Sequence, residues 1–135
     1  MSKKARQTQV YEQMQENDLL ILYSGVQHHI SLDAYHPFAV NTQFFYLTGI
    51  ERKDVIFVMH KNTEMEPVLF IKRIDPLEEK WQGKQLTAAQ ASELSQIKTI
   101  KYLDEFDKYM NTLMMQNNIQ NVYFDLYRNS PTDLP

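Results

Sequence analysis

Apolar positions along the chain fall into three-four spacings and short continuous runs, and these lay out an alternating series of elements. Val10, Tyr11 and Met14 make an apolar stripe in a segment otherwise rich in Gln and Glu, which predicts a first helix over 2–16. Asn17-Asp18 breaks it. Leu19-Leu20-Ile21-Leu22-Tyr23 is too short for a helix and apolar throughout, as a buried central strand is. Ser24-Gly25 ends that strand. Residues 26–35 are irregular, with Ser31 and Asp33 suited to turns, and predict a loop crossing the sheet edge.

The stretch from His36 to Met59 organises the rest. Asn41 or Thr42 caps a short helix over 43–47 whose Phe44, Phe45, Tyr46 and Leu47 point in at least three directions, so this turn is expected between layers. Phe44, Phe45 and Leu47 are expected in the core. Gly49 suits the left-handed position that stops a helix. Strands over 55–59 and 67–71 follow, joined by a polar link of hairpin length, so an antiparallel pair is expected. Asp75-Pro76 starts a helical turn that Gly83 ends. Thr87 and Gln90 form a capping box for a helix over 88–94. A strand over 97–102 alternates Ile with Lys, leaving one face solvated. Leu103 or Asp104 opens a last helix with Phe106, Tyr109, Met110, Leu113 and Met114 on its core face, and Asn117-Asn118 closes it. A strand over 122–126 completes the series. The pattern predicts an α/β fold, a mixed sheet covered by helices.

Composition narrows the function classes. The 135 residues favour one domain, and 43% hydrophobic with 23% charged residues is ordinary for a globular protein. A formal net charge of −3 supplies no broad basic field, so no nucleic-acid partner is expected. Lys3, Lys4 and Arg6 read as a solvated helix start. No apolar run is long enough to span a bilayer, so no membrane partner is expected. The absence of cysteine removes thiolate chemistry and fits a cytoplasmic location, and the first residues lack the apolar core of a secretory signal.

Chemistry-bearing residues are sparse. His28 and His29 are adjacent, which in a strand would send them to opposite faces, and His36 and His60 have no ligand-like spacing with them. A Ser-His-Asp set drawn from Ser24 or Ser31, His28 or His29, and Asp33 lacks a nucleophile elbow. Gly25, Gly49 and Gly83 are too far apart for a phosphate loop. No catalytic residue and no metal ligand is therefore expected. Trp81 stands out in the polar segment Glu78-Glu79-Lys80-Trp81-Gln82-Gly83. Its ring reads either as folded back over the core edge, the preferred reading from its setting alone, or as presented to a partner or ligand.

Tyr35-His36-Pro37-Phe38, the run from Asn41 to Gly49, and the downstream Trp81-Gln82-Gly83 together resemble the N-terminal domain of aminopeptidase P and related Xaa-Pro dipeptidases, the creatinase/prolidase group. The resemblance implies a three-layer α/β domain with a ribonuclease H-like motif, over 1–128. Residues 129–135, with Pro131 and Pro135, would then begin a linker to an absent C-terminal catalytic domain. It also implies that this domain is non-catalytic. The family's two divalent metal ions, commonly manganese, are held in the C-terminal domain by two Asp, one His and two Glu, and activate water to hydrolyse the bond before a proline. The N-terminal domain shapes access to that site and contributes dimer or tetramer contacts. By position, Trp81 would approach the substrate entrance or a neighbouring subunit, with His36 and Phe38 beside it. Ala39-Val40 and Thr42-Gln43 stand where many relatives carry Arg-Gln and Ser-Asp. The alternative to an accessory domain of a peptidase is a non-enzymatic protein-binding or assembly module of the same fold.

Overall fold

Leu19, Leu20, Ile21 and Leu22 alternate between two hydrophobic cores, one on each face of a sheet. The computed structural model describes residues 2–24, 42–52, 54–62 and 65–125. Among them the elements run α1 (Lys3–Gln13), β1 (Asp18–Tyr23), α2 (Thr42–Thr48), β2 (Ile56–His60), β3 (Val68–Ile71), α3 (Pro76–Gln82), α4 (Ala88–Ser95), β4 (Thr99–Tyr102), α5 (Phe106–Gln116) and β5 (Asn121–Asp125). The sheet order is β4-β3-β2-β1-β5. β1 pairs antiparallel with β2, and β2 with β3, while β4 and β5 lie parallel to β3 and β1. The sheet is mixed, as expected. The strand over 18–23 is interior, but β2 is the central one.

The period of two along each strand sorts side chains between the faces. Leu22, Phe57, Met59, Leu69 and Ile71 face the helices α1, α2 and α4. Leu19, Val58, Val68 and Phe70 face α5. On that side Phe106 and Tyr109 meet the Phe70 ring edge-on, at centroid distances of 5.1 and 5.2 Å. Each such pair contributes about 0.5–1.5 kcal/mol beyond its buried area. Among the described residues α1, α2 and α4 thus form one layer, the sheet a second and α5 a third, with α3 packed in neither core.

Local signals account for most boundaries. Ser2 caps α1 by accepting from the Ala5 amide. Thr87 and Gln90 make the reciprocal capping box of α4, both bonds at 3.1 Å. Gly49, at φ +71°, ends α2, and the stem of Lys3 lies against it. That glycine is required by backbone conformation, since an L side chain is strained there.

Several expectations are corrected. Of the four apolar and aromatic side chains on α2, Phe44 and Leu47 are buried, while Phe45 and Tyr46 are exposed. Its covering is one-sided because α1 and the sheet enclose a single face. Arg6 is no solvated charge: its guanidinium lies 4.4 Å over the Tyr46 ring and donates to the Tyr46 carbonyl at 3.0 Å. α1 ends three residues short of the predicted limit, where Met14 turns extended. On α5, Phe106, Tyr109, Met110 and Leu113 pack inward, but Met114 is exposed because it sits past the edge of the stripe. Ile97 is buried without belonging to a strand. Gln96, at φ +63°, turns the chain first, so β4 begins at Thr99.

One buried polar residue joins three helices. Gln7 of α1 donates from Nε2 to the carbonyls of Leu47 (2.9 Å) and Ser95 (2.8 Å). These are C-terminal carbonyls of α2 and α4, groups that lack an intrahelical partner.

Candidate functional site

The strand directions place β1, β3, β4 and β5 with their carboxyl ends at one edge of the sheet, where β2 begins. In open α/β sheets ligands bind beyond the carboxyl ends of strands. The opposite edge is closed by short backbone ties, among them Asn17 to Lys61 and Gln120 to Asn17. Asp18 adds two, accepting from the Gln15 amide and from Asn121 Nδ2. The carboxyl edge carries the longer connections, including the residues between β3 and α4.

That connection is built on polar contacts. Asp75 caps α3 by accepting from the Leu77 amide at 3.0 Å, and Pro76 occupies the first helical position. Gly83, at φ +93°, ends the helix. Gln85 fastens its N-terminal end twice: its Oε1 accepts from the Asp75 amide, and its Nε2 donates to Glu78. Its own backbone amide donates to Glu79. Lys72 pairs with Glu78 at 2.8 Å, and that hydrogen bond pushes its ammonium above the ordinary lysine value. Arg73 reaches across to Asp104 and Glu105 and lies 4.3 Å over the Tyr102 ring.

Glu78, Glu79 and Gln85 are half-buried by these bonds, whereas the apolar side chains of α3 face water. Ile74, Leu77 and Trp81 follow a three-four spacing, and they are 42%, 69% and 86% exposed. The Trp81 ring is not folded back, which corrects the reading preferred from its charged setting. Exposed apolar groups gathered in one short segment suit an interaction surface. Sequence reasoning singled out Trp81 but missed Ile74 and Leu77. Their spacing to Trp81 was the available signal, hidden because Ile74 precedes the helix.

Beside α3 lies a cavity of about 170 Å³. Val55, Ile71 and Leu86 form its buried floor, and Arg52, Lys72 and Lys84 its exposed rim. Asp54 also lines it and accepts the Tyr23 hydroxyl at 2.9 Å. Burial first, then the Asp54 hydrogen bond and charge, pushes the Tyr23 phenol up to about 12.

His36 and Phe38 lie outside the described residues, as do His28, His29, Ser31 and Asp33. Ser24 is buried and pairs with Val55, its Oγ accepting from the Val55 amide at 3.0 Å. His60 ends β2 at the opposite edge, far from α3 in the fold. Among the described residues no three His, Asp or Glu side chains converge as a metal site would require. Among them, too, no helix is long and apolar enough to cross a membrane.

Comparison with known proteins gives a consistent set of likenesses. The family model for the aminopeptidase P N-terminal domain matches residues 3–123. The Xaa-Pro aminopeptidase of Haemophilus influenzae is 30% identical over 102 residues, which is 75% of this chain and 24% of that protein. A candidate aminopeptidase P from Bacillus anthracis superposes with a TM-score of 0.85 at 34% identity, over 96% of this chain and 32% of its own. Aminopeptidase P from Escherichia coli, solved with the inhibitor Pro-Leu, gives 0.80 at 23% identity, over 98% of this chain and 30% of that one. This last likeness is one of fold. The chain spans about a quarter to a third of the length of these relatives.

Proposed function

The chain belongs to the aminopeptidase P N-terminal domain family, and from that premise we propose that it is the non-catalytic domain of an Xaa-Pro aminopeptidase or dipeptidase. In that role it shapes access to an active site carried elsewhere and contributes contacts between subunits. The observation that carries this reading is the exposure of Leu77 and Trp81 on α3, with Ile74 just before it, on a segment anchored by polar bonds. A rigid footing under exposed apolar side chains suits a surface that meets a partner or substrate rather than one that fills a core.

By this reading the 135-residue chain is silent as a peptidase. A pair of divalent ions, manganese by the resemblance, would belong to residues of a further domain. The described residues hold no set that fits it. A cytoplasmic location and short proline-containing peptides as substrates are parts of the same proposal.

The test uses the longer protein in which this chain is followed by its catalytic domain. Trp81→Ala is expected to lower kcat/KM on Xaa-Pro peptides or to change the oligomer mass measured by light scattering. Unchanged kinetics together with an unchanged mass would refute the role of the stripe. Proline-specific cleavage by the 135-residue chain alone would refute its silence.

A further inference from the structure

The cavity beside α3 has two chemically distinct parts. Its floor is made by Val55, Ile71 and Leu86, all buried in the core that faces α1, α2 and α4. Its rim carries three cations in a chain whose net charge is −3. Lys72 is already paired with Glu78. Arg52 and Lys84 have no carboxylate partner among the described residues. Arg52 is nevertheless held in place, donating from Nη1 to the Lys84 carbonyl at 3.2 Å. Asp54 is the acid in the lining, and it is engaged by the Tyr23 hydroxyl.

We propose that this cavity is a binding subsite for the carboxylate-terminated, apolar last residue of a peptide. The apolar side chain occupies the floor, and the α-carboxylate meets Arg52 and Lys84 at the rim. The volume suits one residue, since an apolar cavity of about 150 Å³ holds a benzene ring and this one is about 170 Å³. Guanidinium and carboxylate are matched in shape, and a second cation adds charge without demanding geometry. Only the identity of the ligand as a peptide rests on the function proposed above. The chemistry of the cavity does not.

The proposal is tested on the isotope-labelled 135-residue chain by NMR titration with N-acetyl-leucine, to about 50 mM because so small a ligand binds in the millimolar range. The expected result is saturable shifts of the amides at Arg52, Val55, Ile71, Lys84 and Leu86. N-acetyl-leucinamide, which lacks the charge, should bind about tenfold more weakly, the worth of one charge-assisted hydrogen bond. N-acetyl-glycine, which lacks the side chain, should also be weaker, and inorganic phosphate should not compete. The exposed pair Arg52→Gln and Lys84→Gln together should abolish the preference for the free acid while leaving the spectrum dispersed. Equal binding of acid and amide overturns the carboxylate assignment. Equal binding of phosphate overturns the apolar one, and no saturable shift overturns the site. None of these outcomes depends on peptidase activity, so the function proposed above stands or falls separately.

Discussion

Trp81→Ala separates a displayed ring from a structural one by magnitude. A tryptophan offers about 250 Å² for burial. At 86% exposure the domain covers only about 35 Å² of it, worth about 0.9 kcal/mol at about 25 cal/mol per Å². Alanine is the better helix former by a few tenths of a kcal/mol, which offsets part of that loss. The expected net cost is therefore about 0.5 kcal/mol, a small shift of the urea midpoint with an unchanged slope. The same truncation at Phe44, which has no exposure, is expected to cost about 3–5 kcal/mol. Trp81 is the chain's single tryptophan, so unfolding must be followed by far-UV circular dichroism. The fluorescence of the native protein supplies an independent check: it should already resemble that of a water-exposed indole and change little on unfolding. A loss above about 2 kcal/mol, or a native emission strongly shifted to the blue, would show that the ring is packed and that the stripe on α3 has been misread.

Gln7→Met keeps length and helix propensity but removes the donor to Leu47 and Ser95. Two buried carbonyls left bare cost about 1–3 kcal/mol each, and a loss below about 0.5 kcal/mol in urea titration would show that the clamp is dispensable. Burial holds the His60 imidazole below its ordinary 6.5, and its Nε2 is shielded with no partner among the described residues. Protonation is then easier in the unfolded chain, so stability present above 6.5 should be lost as pH falls through and below that value. The thermal midpoint of His60→Gln should fall less steeply over this range, and parallel curves would exclude His60. For Tyr23, raised from 10.0 to about 12, the contribution is full below pH 10 and is lost as pH rises through the folded value. Tyr23→Phe should flatten the alkaline decline, and an unchanged slope would show that burial and the Asp54 bond do not raise the phenol.

Runs and caps were legible where one residue type decides a local geometry. The strand at Leu19, the capping box at Thr87 and the Asp75-Pro76 start of α3 all rest on chemistry confined to a few neighbours. What escaped depends on distant partners. Gln7 sits in a Gln-rich helix and nothing near it distinguishes it, because its two acceptors lie 40 and 88 residues away. Phe45 and Phe44 are adjacent and alike, and the placement of α1 and the sheet decides which is covered. Trp81 was conspicuous, but its exposure goes with the ties of Glu78 and Glu79 to Gln85, several residues further on. The order of strands likewise depends on pairings that no short window contains.

The parallel pairing of β1 with β5 links Asp18 to Asn121, separated by 103 residues. During synthesis the outer edge of β1, with Leu19 to Leu22, therefore waits for almost the whole domain to emerge before it is covered. An open apolar edge is a template for another chain. Truncation upstream of Asn121 should yield an aggregating product rather than a smaller soluble one, so β5 acts as the seal on β1.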